Sequence, residues 1–432
     1  MVVNPLLNRR QRWQNNLLRL GLAVIGLALL ALAIYQIPAV NLRLSWRIEY
    51  AWIYMKSIVQ PVDQMPTPVG VIDNSLNPLM TSTHQPTRTP TLLQLTATLQ
   101  TPEPSPTPTL TPTPIPGKAV LVSPRNEKED LNACGPATLA MYLRAYGWPG
   151  DQFTISKVIK PIRADRNVNV EELMDYVLHD VDGMTGLYRV GGNTDLLKKF
   201  VAAGIPVMVE ESFKLDKDFR VKDDRWAGHY VLITGYDDPA GNFIIQDSER
   251  GRDRAVPYTQ LDQDWQSFNR VYILVFKPEQ SATIQSILGA DWDRDANRQS
   301  ALAQAKAETV KDPKNSFAWF NVGTNLTYFE EYTQAAVAYD TARRLGLPQR
   351  MLRYQFGPFM AYFHSGRTDD LMSLTEYALV VTENSEEAML WQGWGLYRQG
   401  KNAEALDMFN KALVAHPGYG DALYAVQFVA QN

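Results

Sequence analysis

The spacing of apolar positions changes along the chain, and each change predicts a different element. Residues 20–37 read Leu-Gly-Leu-Ala-Val-Ile-Gly-Leu-Ala-Leu-Leu-Ala-Leu-Ala-Ile-Tyr-Gln-Ile without a charge, long enough to cross a hydrocarbon core of about 30 Å as a helix. Residues 38–62 mix Trp, Tyr, Leu and Ile with Arg43, Arg47, Glu49 and Lys56, the pattern of an interfacial segment or of a short helix packed on a folded domain. From 63 to 117 Thr, Pro and Ser dominate. Repeated proline removes backbone donors and favours polyproline geometry, so this segment is expected to be a disordered, semi-rigid stalk.

Helical spacing returns at Cys134, where Leu139, Tyr142, Leu143 and Tyr146 share a face before Gly147, with Pro136 in the first turn. Further helices are expected at Val170–Leu178, begun at Asn169 with Glu171 and Glu172 in its first turn, and at Thr194–Ala203, stopped by Gly204. Short β-branched runs at Ile205–Val209, Tyr230–Thr234, Asn242–Gln246 and Tyr272–Phe276, bounded by turn formers, read as strands. Helix first and sheet afterwards predicts an α+β domain over 118–280.

From 298 to 432 the helical pattern repeats. Trp319, Gly323, Tyr332, Ala335, Tyr339 and Ala342 recur in kind as Gly393, Leu396, Gly400, Ala405, Phe409, Ala412 and Pro417, with a weaker copy at Tyr362, Gly366, Leu371 and Ala378. Gly366 and Gly400 are 34 residues apart. The pattern resembles the tetratricopeptide repeat, which implies an all-α domain whose repeated residues mostly pack. The resemblance also implies a concave face for a peptide or protein partner, or simply a brace for the preceding domain.

Composition narrows the partners. At 432 residues two or three folded units are expected. A net charge of -4 with no cationic run gives no reason to invoke nucleic acid. Arg9, Arg10, Arg12 and Arg19 precede the apolar run, so the positive-inside tendency places residues 1–19 in the cytoplasm and the bulk of a single-pass protein outside the cell membrane. Ala31-Leu32-Ala33 also satisfies a signal-cleavage site, which leaves secretion after cleavage as the alternative. A single cysteine forbids an intrachain disulfide and a thiolate-rich metal cage; no metal and no cofactor is expected.

That cysteine carries the candidate chemistry. Cys134 stands at a predicted helix start, where unpaired N–H groups and the macrodipole favour an ionised thiol. His229 opens a predicted strand and Asp247 closes the next, so antiparallel pairing could set the two side chains together. In a thiol triad His229 would be the base and later the acid, and Asp247 would hold the ring in the useful tautomer.

The runs Asn132-Ala133-Cys134-Gly135-Pro136-Ala137-Thr138, Ala203-Gly204-Ile205-Pro206-Val207 and Gly228-His229-Tyr230-Val231-Leu232-Ile233-Thr234-Gly235-Tyr236-Asp237, followed by Asp247, resemble the papain-like cysteine peptidases related to bacteriocin-processing (double-glycine leader) peptidases. The resemblance spans about 118–278 and implies a papain-like fold with Cys134 as nucleophile, His229 as base and Asp247 as orienting residue. It also implies a glutamine shortly before the cysteine as oxyanion donor, and none stands between Gly117 and Cys134. Asn132 or Asn126 could donate an amide N–H in its place; an ionised Glu129 could not.

Two further patterns are set aside. Asp291-Trp292-Asp293-Arg294-Asp295 begins like a calcium loop, but Ala296 stands where the turn needs glycine and Leu302 where it needs a bidentate Glu, so it reads as an acidic helix start. Gly183, Gly186, Gly191 and Gly192 lack phosphate-loop and dinucleotide spacing and read as a flexible loop. The functional expectation is a membrane-anchored extracytoplasmic cysteine peptidase acting on peptide or protein substrates through an acyl-thioenzyme. An amidase or transpeptidase on the same triad, and a non-catalytic peptide-binding scaffold, are the alternatives.

Overall fold

The computed structural model describes residues 5–62, 64–69, 115–163 and 165–431. The chain forms two compact units, one of residues 1–63 with 216–225 and one of 64–215 with 226–432. In the first, helix α1 (Pro5–Tyr35) is followed after a two-residue turn by α2 (Pro38–Val59), whose start is set by Pro38. Within α1, Asn15–Tyr35 has a mean hydropathy of 2.5, long and apolar enough to cross a membrane, a test that a signal sequence also passes. The loop 216–225 is tied to α2 by the Tyr50–Phe219 edge-to-face pair (5.3 Å) and by Val221 N–H donating to Ser57 Oγ (3.0 Å).

Most of the predicted stalk, residues 70–114, lies outside the described residues. Its flanks are held. Met65 is buried in the helical core, Arg343 donates to the Pro66 carbonyl (2.6 Å), and Val69 N–H donates to Asp370 (3.0 Å). On the far side, strand β1 (Lys118–Val120) pairs in the sheet of the same unit. Both described flanks of 70–114 therefore make their contacts within the second unit.

The second unit begins with α3 (Cys134–Ala145), α4 (Gln152–Ile159) and α5 (Val170–Asp180), then β2 (Thr185–Arg189), α6 (Thr194–Ala202), β3 (Val207–Lys214), β4 (Trp226–Asp237), β5 (Asn242–Asp247), β6 (Gly251–Pro257), α7 (Tyr258–Gln266) and β7 (Tyr272–Phe276). The strands make one antiparallel sheet in the order β2-β7-β3-β4-β5-β6, with β1 on the far end of β4. Thus the α+β expectation holds. Gly186 is a correction: it lies within β2, paired with Val275, not in a flexible loop. A Cβ there would come within 3.0 Å of the Leu274 carbonyl, so close strand packing accounts for the glycine.

Apolar side chains fill both faces of the sheet. Leu139, Tyr142 and Leu143 of α3, with Leu173 and Val177 of α5, pack on Leu232 and Ile273, while Leu197 and Phe200 of α6 pack with Val231, Ile233 and Phe243 opposite. Tyr142 locks the nucleophile helix to the sheet by donating to the Pro206 carbonyl and accepting from Val275 N–H (3.0 Å).

After α8 (Ser281–Leu288) and α9 (Arg294–Lys311, capped by Asp293 as its acidic start predicts), the remainder is helical. Three antiparallel pairs follow: α10 (Ser316–Tyr328) with α11 (Tyr332–Leu345), α12 (Gly357–His364) with α13 (Thr368–Val381), and α14 (Glu386–Arg398) with α15 (Asn402–Ala415). The final helix α16 (Gly420–Gln431) covers the third pair. Gly323 and Gly393 occupy equivalent places for one reason. A Cβ at Gly323 would come within 2.7 Å of the Tyr339 ring, and one at Gly393 within 2.4 Å of Phe409, so each glycine lets the large ring of the second helix in.

Candidate active site

Cys134 is the first residue of α3 and is half-buried. Before it, Asn132 takes a left-handed φ of 54°, which asparagine tolerates better than most residues, and turns the chain into the helix. Ala133 at the N-cap supplies no side-chain cap, which leaves the first N–H groups of the helix to the site. Thr138 Oγ1, one turn on, donates to the Tyr230 carbonyl (3.0 Å) and fixes α3 against the strand that carries His229.

His229 lies within β4, three residues after its start at Trp226 rather than at it. The β4–β5 register sets Asp247 opposite Val231, so His229 and Asp247 are diagonal neighbours on one face. His229 Nε2 meets Asp247 Oδ1 at 3.0 Å, with both side chains buried. The other ring nitrogen, Nδ1, stands 3.8 Å from Glu129 Oε2, and a nitrogen of His229, Sγ of Cys134 and a carboxylate oxygen of Glu129 lie within 4.8 Å of one another. The three predicted residues therefore come together in the order thiol, imidazole, carboxylate. Phe213 packs against the imidazole with ring centroids 4.9 Å apart.

Charge around the ring favours the imidazolium form. Burial alone would lower His229, but the Asp247 hydrogen bond, the Cys134 thiol and the Glu129 carboxyl together hold it well above the ordinary histidine value. Burial would likewise raise Asp247. His229 and the N–H groups of Arg250 and Glu249 (2.9 Å each) outweigh burial and hold it well below the usual carboxylate range. Arg254 Nη1 adds an ion pair to its second oxygen at 2.6 Å.

Among the oxyanion candidates, Asn132 and Asn126 differ. Asn126 Nδ2 is directed to the Asp247 carbonyl (3.4 Å) and the Met141 sulfur (3.6 Å). Asn132 accepts through Oδ1 from Arg353 Nη2 (2.8 Å), while its buried Nδ2 donates to nothing among the described residues. Glu129 accepts from Ser248 Oγ (2.6 Å) and stands 3.8 Å from His229 Nδ1, and burial raises its carboxyl. Among the described residues, two groups have metal-ligand spacing, Glu129 with Cys134 and His229, and Asp165 with Glu386 and His416.

Residues 120–273 match the Peptidase_C39 like family. The chain carries a C39-like peptidase domain. A solved structure described as a C39-like peptidase from Bacillus anthracis is 18% identical, over 37% of this chain and 98% of its own, with a TM-score of 0.29. A double glycine motif protease from an AMS/PCAT transporter, in complex with the leader peptide, is 16% identical over 37% of this chain and 94% of its own (TM-score 0.28). YrrB, a TPR protein with an unusual peptide-binding site, is 20% identical over 34% of this chain and 74% of its own (TM-score 0.28). No curated protein matches the chain.

Several residues in or against the C39-like domain escaped the sequence reading. Arg254 sits on β6, whose only β-branched residue is Val256, so no strand signal marks it. Glu211 pairs directly with His229 across β3 and β4, and burial pushes it up to about 8; extending the predicted Ile205–Val209 strand would have found it. Arg353, in a 3-10 turn between the first and second helical pairs, has no signal at all. It also donates to the Arg166 carbonyl (2.6 Å), so the repeat region holds both Asn132 and the loop beside it.

Proposed function

We propose that the C39-like domain is a cysteine peptidase that cleaves peptide bonds through an acyl-thioenzyme on Cys134. His229 takes the thiol proton, Sγ attacks the scissile carbonyl carbon, and the carbon–nitrogen bond breaks as His229 returns the proton to the leaving amine. Water then gives its proton to His229 and attacks the thioester, and the thiolate leaves. Asp247 holds the ring throughout. The Cys134 backbone N–H and Asn132 Nδ2 are the donors for the developing oxyanion, the role left vacant by the missing glutamine. What supports the reading is one ring shared by two partners: His229 meets Asp247 at Nε2 and has a ring nitrogen within 4.8 Å of Cys134 Sγ.

The domain boundaries proposed from the sequence accompany this reading. Anchoring through α1, with the peptidase outside the cell, is part of the proposal, as is peptide or protein binding by the repeats. To test the chemistry, the full chain in detergent is incubated with a peptide mixture and the products read by mass spectrometry. New termini that vanish in Cys134→Ala support the proposal; identical products from both proteins refute it. For topology, a protease added to intact cells should cut within 70–114, and protection there would place the domain inside.

A further inference from the structure

The loop after α4, helix α5 and the third helical pair meet around His416, which follows α15. Its Nδ1 lies 3.2 Å from Glu386 Oε1, 3.8 Å from Asp165 Oδ2 and 4.0 Å from Glu172 Oε1. The three carboxylates come from separate elements, Glu386 from α14, Glu172 from α5 and Asp165 from the loop between α4 and α5.

Each peptidase-side carboxylate is held by its outer oxygen and presents the inner one. Asp165 Oδ1 accepts from Asn167 N–H (3.1 Å), and Glu172 Oε2 accepts from Asn169 N–H (2.6 Å). Asp165 is only 2% exposed, and its Oδ2, turned toward His416, accepts no hydrogen bond among the described residues. Glu387, also buried, takes its hydrogen bonds from neutral donors, Asn169 Nδ2 (3.1 Å) and Ser385 Oγ (3.3 Å). Against these four carboxylates stand His416 itself and Lys160, whose Nζ donates to the Leu131 and Asn132 carbonyls. Carboxyl groups outnumber cationic groups in this buried site, and the unpartnered Asp165 Oδ2 facing His416 is a costly arrangement unless a cation joins it.

The geometry points to a divalent zinc-class cation held by Asp165, Glu386 and His416, with Glu172 as a fourth donor, locking the third repeat to the peptidase domain. Ligand bonds of about 2.0–2.1 Å in a tetrahedron place donors about 3.3–3.4 Å apart; the ligand atoms of Asp165, Glu386 and His416 already lie within 4.8 Å of one another, so side-chain closure around an ion brings them to that spacing, with Glu172 swinging in last. Calcium is disfavoured by the imidazole and by too few oxygens. The outward hydrogen bonds of Asp165 and Glu172 are the supporting shell such a site requires.

The test uses the full chain in detergent, stripped of metal, in a Cys134→Ala background so that the Glu129, Cys134 and His229 group cannot bind through sulfur. Titration with Zn2+ should show one equivalent bound and a rise in melting temperature, with neither effect from Ca2+. Co2+ should give visible absorption of a tetrahedral nitrogen and oxygen site with no thiolate band. Both Zn2+ effects should be lost in His416→Ala and strongly weakened in Glu386→Gln. Should either variant misfold, Co2+ spectra of the parent protein still decide, through imidazole signals in paramagnetic NMR. Absence of stoichiometric Zn2+, or binding unchanged in both folded variants, would overturn the proposal.

Discussion

His229 and His416 are both histidines set among carboxylates, and their surroundings assign them different work. His229 has Asp247 on one nitrogen and a thiol with Glu129 on the other side, and Asp247 is balanced again by Arg254. Its site is close to charge-neutral once the thiol ionises, so a proton can move across the ring without a large penalty. His416 turns one nitrogen toward three carboxylates and, among the described residues, forms its ion pairs with these alone. Such a site stores negative charge. The number of carboxylates matters less than what faces the second nitrogen.

The largest effect expected of any substitution is Cys134→Ala, which should lower peptide hydrolysis by at least about 10³-fold and leave Zn2+ binding around His416 intact. Liquid chromatography of product peptides and metal analysis of the same sample check both. Loss of both together would erase the distinction between the two sites.

Asp247→Asn follows, with a drop of about 10²–10⁴ in kcat, because the amide no longer fixes the ring or supports the imidazolium. It should also remove a pH signature from stability. His229 is raised on folding, so its contribution is complete below about pH 6.5 and is lost as pH rises through its folded value. Asp247 is lowered, so its contribution is complete above about pH 3.9 and is lost as pH falls. Denaturant unfolding between pH 3 and 9 should show both flanks in the wild type; in the variant the acid flank of Asp247 should be lost and the His229 flank weakened, because Cys134 and Glu129 still raise the ring.

Arg353→Ala removes the donor that fixes Asn132 Oδ1 and should cost about tenfold in kcat with little change in KM, the mark of a lost positioning contact. An unchanged kcat would remove Asn132 from the oxyanion site. Glu129→Gln should have the smallest effect on rate. It keeps a hydrogen-bonding group for Ser248 but removes a charge that raises His229, so the alkaline limb of hydrolysis should move to lower pH. An alkaline limb that stays put would show that Glu129 does not reach the ring.

How much of this was legible in the sequence depends on the range of the contacts. Cys134, His229 and Asp247 were readable because helix start and strand alternation are local rules. The glycine turns at Gly366 and Gly400 (φ 76° and 75°) marked the repeat, while the equivalent turn of the first pair uses Glu330 at φ 59°, so that copy was legible only from its packing residues Trp319, Gly323, Tyr332, Ala335, Tyr339 and Ala342. Helix α4 carried a readable cap, Asp151 accepting from Thr154 N–H (2.9 Å), that the apolar pattern alone did not reveal. The packing of 65–69 was not legible for a tertiary reason, since Met65 sits in the helical core, Pro66 accepts from Arg343 and Val69 donates to Asp370, all partners far along the chain. Arg353 and the Asp165, Glu386 and His416 group are products of domain packing, which no local pattern encodes.

The most direct test of the account is the alkylation rate of Cys134 by iodoacetamide between pH 4 and 9, in wild type and His229→Ala. Paired to a protonated His229, the thiol should react rapidly well into the acidic range, and His229→Ala should restrict fast reaction to alkaline pH, with at least about tenfold separation near pH 6. Superimposable profiles would contradict the pairing of Cys134 with His229 and, with it, the proposed chemistry.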